Sequence, residues 1–417
     1  MDIKGLLKTV ECSCGKTHSC DIRDVVIGKG AISEIGKLTE GYNNILLVAD
    51  KNTYAVCGEA VSMQLAGKME NTLIYEDEGI LVPDEKAIEK MQKELTESTD
   101  LIVGIGSGVI QDLCKYVSFN AELPYHIIAT APSMDGYASK GAAMIIGNMK
   151  VTYNAHVPEV IVADTDILKA APMDMIKSGY GDILGKFSCL NDWKLAHAVN
   201  DEYICEYVYD LTYSMLSATK DLGAKLLSRD EEAVGILMEA LVGVGIAMAY
   251  VGNSRPASGS EHHMSHFFEV IGIMKDEPYF MHGTDVAFSA VYTQKMREEL
   301  MNIEEPVLKN PFDKESWEKK IREVYFDAAE GVIALQNKLG WYEEDKISIY
   351  KERWSEIKNV LADTPSSAEL KAYLESIELD IAEFDKLYGE EKINNAIRYA
   401  KDLKDRYTVL WMHNALC

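Results

Sequence analysis

His262, His263, His266 and His282 crowd into 21 positions of a chain that holds nine histidines in all. On a helix His262 and His266, four apart, share one face, so one could bind a metal while the other meets a substrate beside it. His263 then points elsewhere. Neutral imidazole is the commonest borderline metal ligand, and a carboxylate usually completes such a site. The run Ser178 to Lys186 offers one in Asp182, with Lys186 one turn later on the same helical face, where it could pair with Asp182 and keep it ionised. The plainer readings are a satisfied histidine pair and an acid placed in a helix's first turn to complement its dipole.

A second group of residues fits phosphate chemistry. Gly104, Gly106, Ser107 and Gly108 stand directly after an apolar run and before a helix-like stretch that includes Leu113 and Val117. Glycines there let the backbone approach a diphosphate, and the following helix start supplies free amide donors and a positive dipole end. The spacing is not Gly-x-Gly-x-x-Gly, and a tight turn packing helix on strand would use the same residues. Asp50 ends another apolar run, where a carboxylate can accept ribose hydroxyls or cap a helix. The stretch from Ala129 to Ser139 is dense in hydroxyls and follows a further apolar run, at the kind of edge where ligands bind in open α/β sheets, although a turn with caps explains it too.

These groups need elements to hold them. Short apolar runs at Asn44–Asp50, Asn71–Tyr75, Leu101–Gly104 and Tyr125–Thr130 alternate with helical patterns such as Pro83–Ser98, which predicts a parallel sheet covered on both faces. After Asp164 the chain is rich in Ala, Leu, Met, Glu and Lys with few breaks, which predicts helices. Asp313 is expected to cap a helix ending near Gly340, and Ser366 with Glu369 to form a capping box. The expectation is an α/β nucleotide-binding domain over 1–165 and an all-α domain over 166–417, with the active site in the cleft between them. At 417 residues two domains are the default.

Composition narrows the partners. With 42 Lys+Arg against 67 Asp+Glu the formal charge is −25, so nucleic acid and anionic membranes are excluded as partners, since both need clustered cations. No secretory signal is visible near Met1, the apolar run Ala240–Gly252 is too short to span a bilayer, and the eight cysteines look like reduced thiols. A cytoplasmic protein is expected. Cys12, Cys14, His18 and Cys20 could close a small zinc site, or belong to a hairpin with reduced thiols.

Taken in order, Gly106-Ser107-Gly108, Thr130-Ala131-Pro132-Ser133, Asp135-Gly136, Gly181-Asp182, Gly259-Ser260-Glu261-His262 and His282-Gly283 resemble the glycerol-1-phosphate dehydrogenases, bacterial branch. These belong with iron-type alcohol dehydrogenases, glycerol dehydrogenases and dehydroquinate synthases, so the resemblance implies a dehydroquinate synthase-like fold. It implies that Asp50 contacts adenosine ribose, that Gly106, Ser107, Gly108, Val109 and Ile110 hold the diphosphate of NAD(H) or NADP(H), and that Thr130, Ser133 and Ser139 line the nicotinamide half. Asp135 would hydrogen-bond substrate, Asp182, His262 and His282 would hold one divalent metal (zinc, nickel or iron), and His266 would touch substrate. Since an imidazole changes charge near neutral pH, His266 or a water linked to it is expected to relay the proton. The implied reaction reduces the small phosphorylated substrate dihydroxyacetone phosphate to sn-glycerol 1-phosphate. Lys140, Lys186 and Arg255 are the cations nearest the motifs for its phosphate. Asp50 would repel the 2′-phosphate of NADPH, while the resemblance permits either coenzyme. A dehydroquinate synthase-like lyase, a dehydrogenase of unphosphorylated polyols and a dinucleotide sensor stand as alternatives. The acidic tail from about 300 to 417 offers surface for a homo-oligomer.

Overall fold

Six apolar runs become the strands of one sheet in a computed structural model that describes residues 2–76, 81–147 and 149–417, with backbone alone at 149 and 150. They are β1 (Asp24–Gly28), β2 (Ile45–Asp50), β3 (Met69–Tyr75), β4 (Leu101–Gly106), β5 (Tyr125–Ala129) and β6 (Val160–Asp164), in the spatial order β1-β6-β5-β4-β2-β3. Every neighbouring pair is parallel. Ile45, Leu46, Leu47, Val48 and Ala49 of β2 are fully buried, as are Leu101, Ile102 and Ile105 of β4, which is what a sheet covered on both faces demands. Three helices follow three of the strands: α1 (Lys51–Gln64), α2 (Glu85–Glu94) and α3 (Gly108–Asn120). The expected helix Pro83–Ser98 is shorter than its pattern because Asp84 caps its start, accepting from the Ala87 amide at 2.9 Å, and Leu95 turns extended.

Register decides which residues share an edge. Ala49 pairs with Ile105, and Gly106 with Ala129, so the segments leaving β2, β4 and β5 emerge side by side at the carboxyl end of the sheet. That edge is where ligands sit in open α/β sheets.

The chain divides into two compact units, residues 1–180 with 217–252, and residues 181–216 with 253–417. The first unit thus runs past residue 165 and includes the helix Glu231–Val251. That helix is long and apolar enough to cross a membrane, with mean hydropathy 2.0, yet 72% of its apolar window is buried in the fold, as in a core helix. All the named strands lie in the first unit. In the second unit, after α4 (Met173–Leu184), within which the division falls, come α5 (Lys186–Asn200), α6 (Ser260–Lys275) and α7 (His282–Met301). Six further helices occupy the stretch from Lys314 to Leu416 among the described residues. The Ser366/Glu369 capping box is present. The single helix expected from Asp313 to Gly340 is instead two, Lys314–Tyr325 and Ala329–Leu339. They part where Phe326 takes a φ of 46°, a left-handed conformation that a non-glycine residue adopts only at a cost.

Candidate active site

In the first unit the turn after β4 is built for close approach. A Cβ on Gly106 would come within 2.5 Å of Ile110, so only glycine lets the chain turn directly into α3. Ser107 sits at the N-cap of α3 without using its side chain as a cap, so the amides of the first turn are not consumed by it. A Cβ on Gly108 would meet nothing nearer than Met134 at 3.9 Å, and Val109 and Ile110 continue the first turn. The Thr130 amide donates to the Gly106 carbonyl at 3.1 Å, which lays the hydroxyl-rich loop beside the glycine turn. Asp50 proves to be an N-cap: its Oδ1 accepts from the amides of Asn52 (2.8 Å) and Thr53 (2.9 Å). Both bonds fall on one oxygen, and the carboxylate is half-buried at the same edge as the glycine turn.

The loop carrying Thr130, Ser133, Asp135 and Ser139 is held from beneath by groups that the motif reading passed over. Lys115 is fully buried in α3, with its ammonium 2.8 Å from the Gly141 carbonyl, 3.2 Å from that of Gly136 and 3.4 Å from Ser139 Oγ. Burial lowers its pKa, opposed by Asp112 and Asp135. Gln111, one turn earlier, donates to the Tyr137 carbonyl and the Tyr125 hydroxyl, both at 3.0 Å. A Cβ on Gly179 would strike the Pro132 carbonyl at 1.8 Å, so the helix backbone itself packs on this loop, and Ser178 donates to the Ser133 carbonyl at 3.1 Å. Thr130, Ser133 and Asp135 are buried and Ser139 half-buried.

The second unit brings Asp182, His262 and His282 together, with one ligand atom from each lying within 4.8 Å of the others. Their convergence has a backbone cause. A Cβ on Gly181 would meet the Gly283 carbonyl at 2.4 Å, so the end of α4 and the start of α7 touch backbone to backbone and set Asp182 beside His282. His262 projects from the first turn of α6, and the rings of His262, His266 and His282 stand 5.1 to 6.1 Å apart. His266 is therefore gathered into the same cluster, one turn from His262. His263 faces away, fully buried, and burial pushes its pKa well below the ordinary range, with Arg406 adding to the shift.

The surroundings fix each donor. Lys186 is fully buried, 2.8 Å from Asp182 Oδ1 and 3.0 Å from the Ala257 carbonyl. Burial alone would raise the Asp182 carboxyl, but Lys186, His262 and His282 together hold it below the usual carboxylate range. Glu261, also fully buried, accepts at Oε1 from the Gly259 amide (2.9 Å) and meets His262 Nδ1 at 2.6 Å. That contact turns Nε2 of His262 toward Asp182, 3.5 Å away. Burial pushes the His262 imidazole down, and the Asp182 and Glu261 bonds outweigh it and raise its proton affinity. The field that attracts a proton to Nε2 attracts a divalent cation in competition with it. Two imidazoles and one carboxylate are a donor set that leaves an open coordination position, and two carboxylates against one ammonium leave the cluster negative, so the residues fit a divalent metal. At α7 Ser265 Oγ lies 3.5 Å from His282 Nδ1, and Tyr388 holds Asp285, in the same first turn, at 2.8 and 2.9 Å.

Of the other sequence candidates, Lys140 is exposed and 3.9 Å from Asp21, and Arg255 is buried in a two-bond pair with Glu202 at 2.7 Å. Only Lys186 of the three named cations belongs to the cluster. Val10–Glu11 and Thr17–His18 form a hairpin, in which Cys14 Sγ lies 3.5 Å from His18 Nε2. Burial pushes the Cys20 thiol up to about 11, and Cys20 lies beyond the hairpin.

Residues 26–172 match the family model described as iron-containing alcohol dehydrogenase. Among solved structures, maleylacetate reductase from Rhizobium superposes with a TM-score of 0.61 at 12% identity over 96% of each chain. The iron-containing alcohol dehydrogenase from Thermococcus thioreducens does so at 0.60 and 15% identity, over 94% of this chain and 97% of its own. At such identities they show the fold. The glycerol-1-phosphate dehydrogenase of Halalkalibacterium halodurans, whose name carries NAD(P)+, is 31% identical over 97% of this chain and 95% of its own. That of Bacillus subtilis is 30% identical over 96% and 93%. Relatedness of that degree along nearly the whole of both chains places this protein in the glycerol-1-phosphate dehydrogenase branch of the iron-containing alcohol dehydrogenase family.

Proposed function

We propose that this chain reduces dihydroxyacetone phosphate with NAD(P)H to sn-glycerol 1-phosphate, using a divalent ion held by Asp182, His262 and His282. The observation that carries this reading is the gathering of those three donors within 4.8 Å, in a chain related end to end to enzymes of that name. A divalent ion held there would supply Lewis acidity to a carbonyl oxygen, worth several kcal/mol as negative charge develops. The reduced nicotinamide supplies the hydride. Zinc, nickel and iron(II) all suit two imidazoles and a carboxylate.

The chain's own residues do the rest. Asp182 stays ionised because Lys186 sits against it, and His262 presents Nε2 because Glu261 occupies Nδ1. His266, in the same cluster and one helical turn from His262, delivers the proton that the reduced oxygen needs in this reading. The first-turn amides of Gly108, Val109 and Ile110, with Gly106 and Ser107 shaping the turn, hold the diphosphate. Thr130, Ser133 and Ser139 line the nicotinamide half, and Asp135 accepts from a substrate hydroxyl. Replacing His266 with alanine is expected to lower kcat by ~10²–10⁴ with metal content unchanged. Unaltered turnover in that variant would end the proton-delivery role.

Asp50 caps α1, and in this reading its carboxylate also meets the adenosine ribose. Asp50→Ser keeps a capping oxygen while removing the charge, so the fold is expected to hold within about 1 kcal/mol. The ratio of kcat/KM for NADPH over NADH should rise roughly tenfold, as about 1.4 kcal/mol of repulsion from a 2′-phosphate is relieved. A ratio that does not move shows that Asp50 lies away from the ribose.

The decisive assay is oxidation of NADH by metal-reconstituted protein with dihydroxyacetone phosphate, run beside dihydroxyacetone and a chelated control. Chelator-sensitive turnover that needs the phosphate is the expected result. Equal turnover on dihydroxyacetone reassigns the chain to unphosphorylated polyols, and no turnover on either removes the reading.

A further inference from the structure

Glu299 lies in the last turn of α7, the helix that begins at His282, and beside it stand His413 and Cys417. One carboxylate oxygen, one imidazole nitrogen and one sulfur from these three lie within 4.8 Å of one another. His413 and Cys417 are four apart on the helix Val409–Leu416 and its C-cap, so they share a face. The Cys417 amide donates to the His413 carbonyl at 2.9 Å, which fixes that last turn. Flanking backbone is fixed as well: the Lys309 amide donates to the Ala415 carbonyl at 3.0 Å, and Asn310 to that of Asn414 at 2.9 Å. His413 Nε2 meets Glu299 Oε2 at 2.8 Å.

A plain surface ion pair accounts for His413 and Glu299. It does not account for a thiol brought into the same small volume. The three residues also line a groove of about 1470 Å³, so water can complete the coordination. Bonds of roughly 2.0–2.3 Å to N, O and S in a tetrahedral site put donor atoms roughly 3.3–3.7 Å apart, within reach of small side-chain rotations from the observed spread.

We propose that Glu299, His413 and Cys417 form a second metal site, separate from Asp182, His262 and His282, that takes zinc or a similar borderline-soft divalent ion. A mixed S, N, O set of this kind selects such ions over magnesium or calcium. Bound there, the ion clips the helix Val409–Leu416 to the end of α7.

The two sites differ in one property that spectroscopy reads: the Asp182 site contains no sulfur. The experiment titrates the full-length, reduced protein with cobalt(II) and records thiolate-to-cobalt charge-transfer absorption. A band that saturates as a single site is expected, lost in Cys417→Ser, weakened roughly tenfold or more in His413→Ala, and kept in Asp182→Asn. Retained turnover of Cys417→Ser confirms that this variant is folded, since Cys417 lies outside the reaction site. No band, a band that survives Cys417→Ser, or a band seen only at millimolar cobalt each overturns the proposal. The second of these would assign the sulfur to another residue such as Cys12 or Cys14.

Discussion

Asp182→Asn is expected to lower kcat/KM by ~10²–10⁴, the rate equivalent of losing several kcal/mol of Lewis-acid stabilisation. The substitution is nearly isosteric and keeps an oxygen 2.8 Å from Lys186, but it removes the charge in direct contact with that ammonium and leaves Glu261 as the cluster's remaining carboxylate. An arriving cation would then face a fully buried Lys186 whose contacting carboxylate is gone, so metal affinity falls by more than one lost bond would suggest. Chelator competition measures the affinity directly. Stability should fall as well, by up to ~3–5 kcal/mol, because half of a buried ion pair is left uncompensated. The double variant Asp182→Asn with Lys186→Met separates the two effects: it should recover stability and none of the turnover. If Asp182→Asn keeps wild-type metal affinity, Asp182 is not a ligand.

The pair at the centre of that prediction was legible because it is local. Asp182 and Lys186 are four apart, as are His262 and His266, and helical spacing suggests that each pair meets, although Gly185 separates Asp182 at the end of α4 from Lys186 at the start of α5. What spacing does not contain is the joining of residues 182, 262 and 282, which depends on the backbone contact between Gly181 and Gly283 across a hundred positions. The glycine turn and the strands of the sheet's middle were legible because a doubly covered parallel sheet writes continuous apolar runs. β6 is harder to read, with four apolar residues before Asp164 and no turn signal after it.

Buried polar residues were the poorest signal. Gln111, Lys115 and Ser118 recur at helical spacing and look like a solvated face, yet all three are buried because α3 is covered on both sides. Arg255 and Lys140 show the same limit: a cation near a motif in the sequence is a salt-bridge partner as readily as an anion receptor. The break at Phe326 carries no Gly or Pro, so nothing in the residue types announces it.

Glu261 shows how a residue inside a recognised motif can hold an unassigned role, and its replacement by alanine is expected to weaken metal binding by roughly 10- to 100-fold without removing a ligand. Its Oε1 receives both the Gly259 amide and the His262 ring, while its Oε2 is buried with no hydrogen-bond partner. Alanine leaves two donors unpaired in a dry interior, about 1–3 kcal/mol each, and lets the His262 ring change tautomer or rotate. Glutamine divides orientation from charge. Its carbonyl can occupy the place of Oε1 and accept both bonds, so the ring keeps its tautomer, but the negative charge that makes Nε2 a stronger donor is gone. If orientation dominates, Glu261→Gln binds metal nearly as the wild type does and only Glu261→Ala loses affinity. If charge dominates, the two variants lose affinity alike, although only alanine also loses the stability of the paired donors. Wild-type affinity in Glu261→Ala would remove Glu261 from the site altogether and leave the 2.6 Å contact as packing at a helix start.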